Sequence, residues 1–177
     1  MNKPDIIIHL SWEGLPNYRE LFHIERNLLN HQIGKQDDFI TAFGGFNLIK
    51  FSKNDVNVIP IPLSNSSCEE LSNNLMLFFI GLTRKSSDVL LPLLKSIKNN
   101  DEKTMSSLHT VKDLALELYD SLKSNDISGM AEIMNKGWKA KKQFGTGVSN
   151  DKIDKIYSSG IEAGAISGKI TGAGGGG

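Results

Sequence analysis

Cysteine is nearly absent. Cys68 is the single one in 177 residues, so no disulfide can close within the chain, and a reducing, cytoplasmic setting is expected. Neither sign of charge dominates, because 20 Lys and Arg offset 20 Asp and Glu. That balance removes the electrostatic basis for a nucleic-acid or acidic-membrane partner. No apolar stretch approaches the roughly 20 residues of a membrane span. The opening Met1 to Leu10, with its Ile6, Ile7 and Ile8 run, reads as too brief for a secretory leader. His9, His23, His31 and His109 lack metal-ligand spacing, so no metal site is expected from protein side chains. Neither G-x-x-x-x-G-K-[ST] nor G-x-S-x-G occurs, which leaves a P-loop and a hydrolase elbow without support.

Glycine, by contrast, is plentiful at 17 residues, and it concentrates at Ser167-Gly168-Lys169-Ile170-Thr171-Gly172-Ala173-Gly174-Gly175-Gly176-Gly177. Such a cluster suits a backbone that approaches something closely or takes φ > 0. Consecutive free N–H groups can form a concavity for an anion, usually a phosphate. A flexible tail is the competing reading. Lys169, Thr171 and the apolar lead-in Ile161, Ala163, Ala165 and Ile166 argue against it.

Periodicity predicts the rest of the chain. Ile6–Leu10 reads as a short strand and Tyr18–Asn30 as a helix with Leu21, Ile24 and Leu28 on one stripe. Asp37 or Asp38 can cap a short helix that runs through Ala42. Phe46–Ser52 and Val56–Leu63 read as two strands joined by the Lys53-Asn54-Asp55 turn, with Pro60 and Pro62 favouring a sheet edge. Asn65–Asn74 reads as a polar connection and Leu75–Leu82 as a central strand. Helices are expected from about Ser86, over Met105–Ser124, from Asn125 or Asp126 to near Phe144, and after an Asn150 cap. Strands early and helices late give an α+β class, with helices packed on one side of a sheet.

Three polar clusters could carry chemistry. In Gly34-Lys35-Gln36-Asp37-Asp38-Phe39 a carboxylate beside a lysine is suited to taking a proton from a hydroxyl, and the lysine would keep it ionised. A helix N-terminus with Asp37 as the cap and Lys35 solvated explains the same residues. Thr83-Arg84-Lys85 directly follows the most apolar run, and an arginine fork suits phosphate oxygens. An exposed cationic loop is the alternative. Lys136, Lys139, Lys141 and Lys142 around Trp138 read as a solvated helix face with one anchoring aromatic.

Gly34–Phe39 followed by Phe43-Gly44-Gly45-Phe46-Asn47, and Lys169–Gly177 at the other end, together resemble motifs of the GHMP kinases (galacto-, homoserine, mevalonate and phosphomevalonate kinases). Gly81-Leu82-Thr83-Arg84, Gly137-Trp138 to Ser149-Asn150, and Ile153-Asp154 resemble the sugar-phosphate branch of that family, over about Tyr18 to Gly177. The resemblance implies an α+β fold. Residues 1–50 would be a remnant of the α/β N-terminal domain (from about 18), and 51–177 an incomplete ferredoxin-like C-terminal domain, truncated at both ends. It further implies an ATP- and Mg2+-dependent kinase. The γ-phosphoryl group would pass to a hydroxyl of a heptose 7-phosphate-like sugar phosphate. By this carry-over Asp37 is the base. Gly172, Ala173, Gly174, Gly175 and Gly176 form the phosphate loop, and Lys35, Arg84 and Thr171 bind substrate. The family usually has Gln where Asp38 stands, and an extra negative charge there would raise the pKa of the base or repel phosphates. The family's Pro-x-x-x-Gly-Leu-Gly-Ser-Ser loop has no counterpart in the chain. Phosphoryl transfer depends almost wholly on positioning, so the 177 residues alone are expected to be inactive. A homo-oligomer or a complementary missing half is the partner expectation. The alternative is a non-catalytic remnant or binding module that keeps the fold.

Overall fold

The computed structural model describes residues 28, 36–52 and 55–176. The expected strand Ile6–Leu10, the helix Tyr18–Asn30, Lys35, the turn residues Lys53 and Asn54, and Gly177 lie outside the described residues, Leu28 excepted. Two compact units, Met1–Leu63 and Ser64–Gly177, make up the chain.

In the first unit, helix α1 (Gln36–Phe43) precedes an antiparallel hairpin of β1 (Asn47–Phe51) and β2 (Val56–Pro60). Asp37 therefore lies inside the first turn of the helix. Gly44 and Gly45 end the helix with φ of 60° and 64°, a conformation that costs residues with a Cβ far more than glycine. The register runs from Asn47 opposite Pro60 to Phe51 opposite Val56, so the hairpin expected from the sequence forms. Phe39 and Ile40 of α1 pack with Ile49, and the Phe39 ring meets Phe51 edge-on with centroids 5.3 Å apart.

The second unit is helical: α2 (Asn65–Asn74), α3 (Ser87–Lys98), α4 (Glu102–Lys123), α5 (Ile127–Lys141), a single 3-10 turn at Lys142–Phe144, and α6 (Asp151–Glu162). Side-chain caps start four of these. Ser64, Asp101, Asp126 and Asn150 accept from the N–H groups of Ser67, Thr104, Gly129 and Ile153. Val89, Leu93, Trp138, Phe144, Val148 and Ile153 form the core. Trp138 is only 2% exposed, so the aromatic amid the lysines anchors α5. Among the described residues, no helix is long and apolar enough to cross a membrane.

Two expectations need correction. Asn65–Asn74 is a helix, not a connection. It has a Ser64 cap, one buried leucine, Leu71, and a buried Ser67 whose hydroxyl donates to Asn125 Oδ1 at 2.7 Å. Polar anchoring of this kind leaves no apolar stripe to read. Leu75–Leu82 is not a strand, because no residue of it belongs to a ladder. Leu77 is 89% and Met76 80% exposed, and Ile80 alone of the run packs against the core. Apolarity records a need for burial; a strand also requires a neighbour to pair with. The sheet among the described residues thus has two strands.

Candidate functional site

The glycine-rich segment folds back on its own unit. Gly172, Gly174 and Gly175 have φ of 67°, 109° and 75°, and Gly174 and Gly175 are buried. The Gly175 N–H donates to Val148 O at 2.8 Å, and the Lys141 ammonium donates to Gly172 O. Close approach explains the absence of side chains. A Cβ at Gly174 would lie 2.7 Å from Val148 O, and one at Gly176 would lie 2.6 Å from Leu82 O. At Gly175 it would fall 2.2 Å from Arg84 Cζ and 2.4 Å from Gly147 O. Real Cβ atoms do not tolerate such separations. The cluster is thus a docked loop and not a free tail.

Arg84 comes from the loop ahead of α3. It is exposed, and its Nη2 donates to Gly147 O at 2.6 Å. The carbonyl belongs to a second glycine turn, Gly145–Val148, where Gly145 and Gly147 have φ of 149° and 100°. The structure therefore brings Arg84 together with Gly175 and Gly176 of the predicted phosphate loop.

The α5–α6 junction holds that turn in place. Lys142 Nζ meets Asp154 Oδ1 at 3.1 Å, and Ser149 Oγ donates to the same oxygen at 2.8 Å. The Ser149 hydroxyl holds the Asp154 carboxyl below its ordinary range; slight burial opposes this, and Lys142 adds to the lowering. Lys142 also lies 6.0 Å from the Trp138 ring centroid and 5.9 Å from that of Tyr157. Tyr157 in turn donates its hydroxyl proton to Asn135 Oδ1.

Of the other predicted site residues, Thr171 is exposed beside the loop, and Lys35 lies outside the described residues. Asp37 belongs to the first unit, is exposed on α1, and its backbone carbonyl accepts from Thr41 Oγ1 at 2.7 Å. No group of three His, Cys, Asp or Glu side chains able to hold a metal occurs among the described residues. Sequence reasoning missed Lys141, Gly147, Val148 and Asn150, whose Nδ2 donates to Gly175 O at 3.5 Å, as supports of the loop. The Gly145-Thr146-Gly147 spacing was the one available signal, since two glycines around one residue mark a tight turn.

Residues 118–177 match the family described as GHMP kinases C terminal. A D-glycero-alpha-D-manno-heptose 7-phosphate kinase of Campylobacter jejuni subsp. jejuni is 37% identical over 157 residues, covering 88% of this chain and 46% of that protein. A bifunctional fucokinase/GDP-fucose pyrophosphorylase of Arabidopsis thaliana is 26% identical, covering 93% of this chain and 16% of that protein. Among solved structures, a D-glycero-D-manno-heptose 1-phosphate kinase from Bacteroides thetaiotaomicron is similar, with a TM-score of 0.63 and 28% identity. That similarity covers 89% of this chain and 41% of the other. The chain spans less than half the length of the curated relatives it matches.

Proposed function

We propose that this chain, whose residues 118–177 match the GHMP kinases C-terminal family and which is similar to a heptose 7-phosphate kinase, belongs with the GHMP kinases and serves ATP-dependent phosphorylation of a sugar phosphate of the heptose phosphate class, in the cytoplasm. The observation that carries the reading is the docked loop at Gly172–Gly176, with left-handed glycines and close backbone packing. Among the described residues the amides of Gly174 and Gly176 donate to no backbone carbonyl, so they suit an anion. When bound, the nucleotide supplies the γ-phosphoryl group, and Mg2+ offsets the charge of its phosphates.

Each residue then has a defined task. Asp37 takes the proton of the attacking sugar hydroxyl, and Lys35 of the same motif binds substrate. Within the Gly172–Gly176 loop the Gly174 and Gly176 amides hold phosphate oxygens, while the Gly175 amide, bonded to Val148 O, fixes the loop. Arg84 spends one donor on Gly147 and offers the rest of its fork to the substrate's own phosphate, and Thr171 contributes a hydroxyl to the same substrate. The division between the two family domains is proposed to fall at the β1–β2 hairpin.

Titrating Mg2+–ATP into the 15N-labelled chain tests the reading. Chemical-shift changes should centre on Gly172–Gly176 at millimolar nucleotide. Shifts confined to other residues would refute the phosphate-loop role. A second reading, a binding module that keeps the fold without turnover, is favoured by the absence of a strand partner for Leu75–Ile80 among the described residues. Under that reading the loop binds nucleotide, yet no extension of the chain restores transfer.

A further inference from the structure

Arg84 sits where two glycine turns meet, and its geometry there does more than leave a cation exposed. A guanidinium is planar and carries five N–H donors. One of Arg84's goes to Gly147 O at 2.6 Å. The face of the group lies so near Gly175 that an added methyl would come within 2.2 Å of Cζ and 2.4 Å of Nη1. The same methyl would lie 2.4 Å from Gly147 O, so Arg84, Gly147 and Gly175 close around one small volume. On the other side, the Gly175 N–H reaches Val148 O at 2.8 Å, the carbonyl next along the turn. The loop is thereby gripped at one residue from two directions.

We propose that Arg84 is a positioning residue, a latch that holds the Gly172–Gly176 loop against the Gly145–Val148 turn and so fixes the direction in which the loop amides point. Planarity is what the position demands. A lysine can still reach the Gly147 carbonyl, but as a point charge on a flexible stem it cannot lie flat against the Gly175 backbone. Alanine loses both the bond and the packing. The consequence for phosphate binding rests on the kinase reading; the latch itself does not.

Amide hydrogen exchange on the 15N-labelled 177-residue chain, without ligand, tests it. Arg84→Ala should speed exchange of the Gly175 amide by about tenfold or more, with the buried Leu122 amide unchanged. Arg84→Lys should fall between Arg84→Ala and the native chain, a graded rescue that loss of an unrelated surface charge would not give. Gly175→Ala should resemble Arg84→Ala, and the double variant should exchange no faster than Gly175→Ala alone. Unchanged Gly175 exchange in Arg84→Ala, or effects that multiply in the double variant, would overturn the latch. If Gly175→Ala does not fold, the alanine and lysine variants at Arg84 decide it by themselves. A second arm adds inorganic tripolyphosphate with Mg2+ as the probe. Loop-amide shifts in the native chain that weaken at least tenfold in Arg84→Ala support the coupling to phosphate. No shift in the native chain defeats the phosphate reading, while the exchange result still judges the latch.

Discussion

A single added methyl is the sharpest probe of the glycine loop. Gly175 combines φ of 75° with three atoms inside 2.5 Å of a would-be Cβ, one of them a backbone oxygen. Left-handed backbone costs about 1–2 kcal/mol, and overpacking adds about 1–3 kcal/mol. Gly175→Ala should therefore destabilise the second unit by about 3 kcal/mol in a denaturant titration. Gly172, with nothing within 4 Å of its Cβ position, should lose only the backbone term. Equal losses at the two positions would show that the docking is not what selects glycine. Asp154 supplies the pH-dependent case. Its folded pKa is lowered, first by the Ser149 hydroxyl and also by Lys142, with burial opposing. Its contribution to stability is thus complete above the ordinary value of 3.8 and is lost as pH falls through the lower folded value. The carboxylate is 48% exposed, so the contribution stays under about 1 kcal/mol. Ser149→Ala should bring the Asp154 pKa, read by NMR, back towards 3.8. For the chemistry, Asp37→Asn should lower kcat roughly two to four orders of magnitude in a form of the protein that turns over. Asp38→Gln should be tolerated. If Asp38→Asn were inactive and Asp37→Asn active, the carry-over of the motif would be misplaced by one residue.

At the scale of elements, Leu75–Ile80 separates what the sequence reveals from what it does not. Amphipathic stripes placed α4 and α5 correctly, because a helix satisfies its own backbone and needs only one buried face. The helix starts near Ser86 and Asp126 and the Asn150 cap were readable for the same local reason. A strand is not self-sufficient. LMLFFI reads as a central strand, yet among the described residues no other strand lies beside it, and Phe78 and Phe79 are 67% and 77% exposed. The polar α2 was hidden for the opposite cause, since its support comes from the Ser64 cap and the Ser67–Asn125 bond. In the candidate site the glycine cluster was legible as composition, but its neighbours were not. Gly147 and Val148 meet Gly175 across 28 and 27 positions by contacts that no local pattern encodes. An uncharged apolar run of this length invites pairing between chains. Replacing Leu77 and Phe79 together by Lys should lower light scattering at high protein concentration and leave the melting temperature within about 2 °C, since neither side chain is buried. A melting temperature several degrees lower would mean that the run contributes to the folded unit after all.

For the molecule as a whole, the decisive quantity is turnover. In the proposed reading the loop, Asp37 and Arg84 serve one reaction, and the loop and Arg84 meet within the second unit. Three features weigh against catalysis by these 177 residues alone. The chain spans 46% of one curated relative and 41% of the solved one. It has no counterpart of the serine-containing loop that the family resemblance calls for, and its most apolar segment has no strand partner among the described residues. In-line placement of nucleotide and hydroxyl accounts for roughly 7–11 kcal/mol of a typical barrier. A chain that, as proposed, would hold the phosphates from one loop supplies little of that placement. A coupled ADP-release assay on the purified chain, with heptose 7-phosphate and heptose 1-phosphate as acceptors, should therefore give no turnover above the background of ATP hydrolysis. Mass spectrometry of the same sample fixes which residues were present. Turnover near roughly 1 per second, the range of working kinases, would sink the positional argument. The phosphate-loop assignment would survive that result, because loop binding is read separately by the Mg2+–ATP titration.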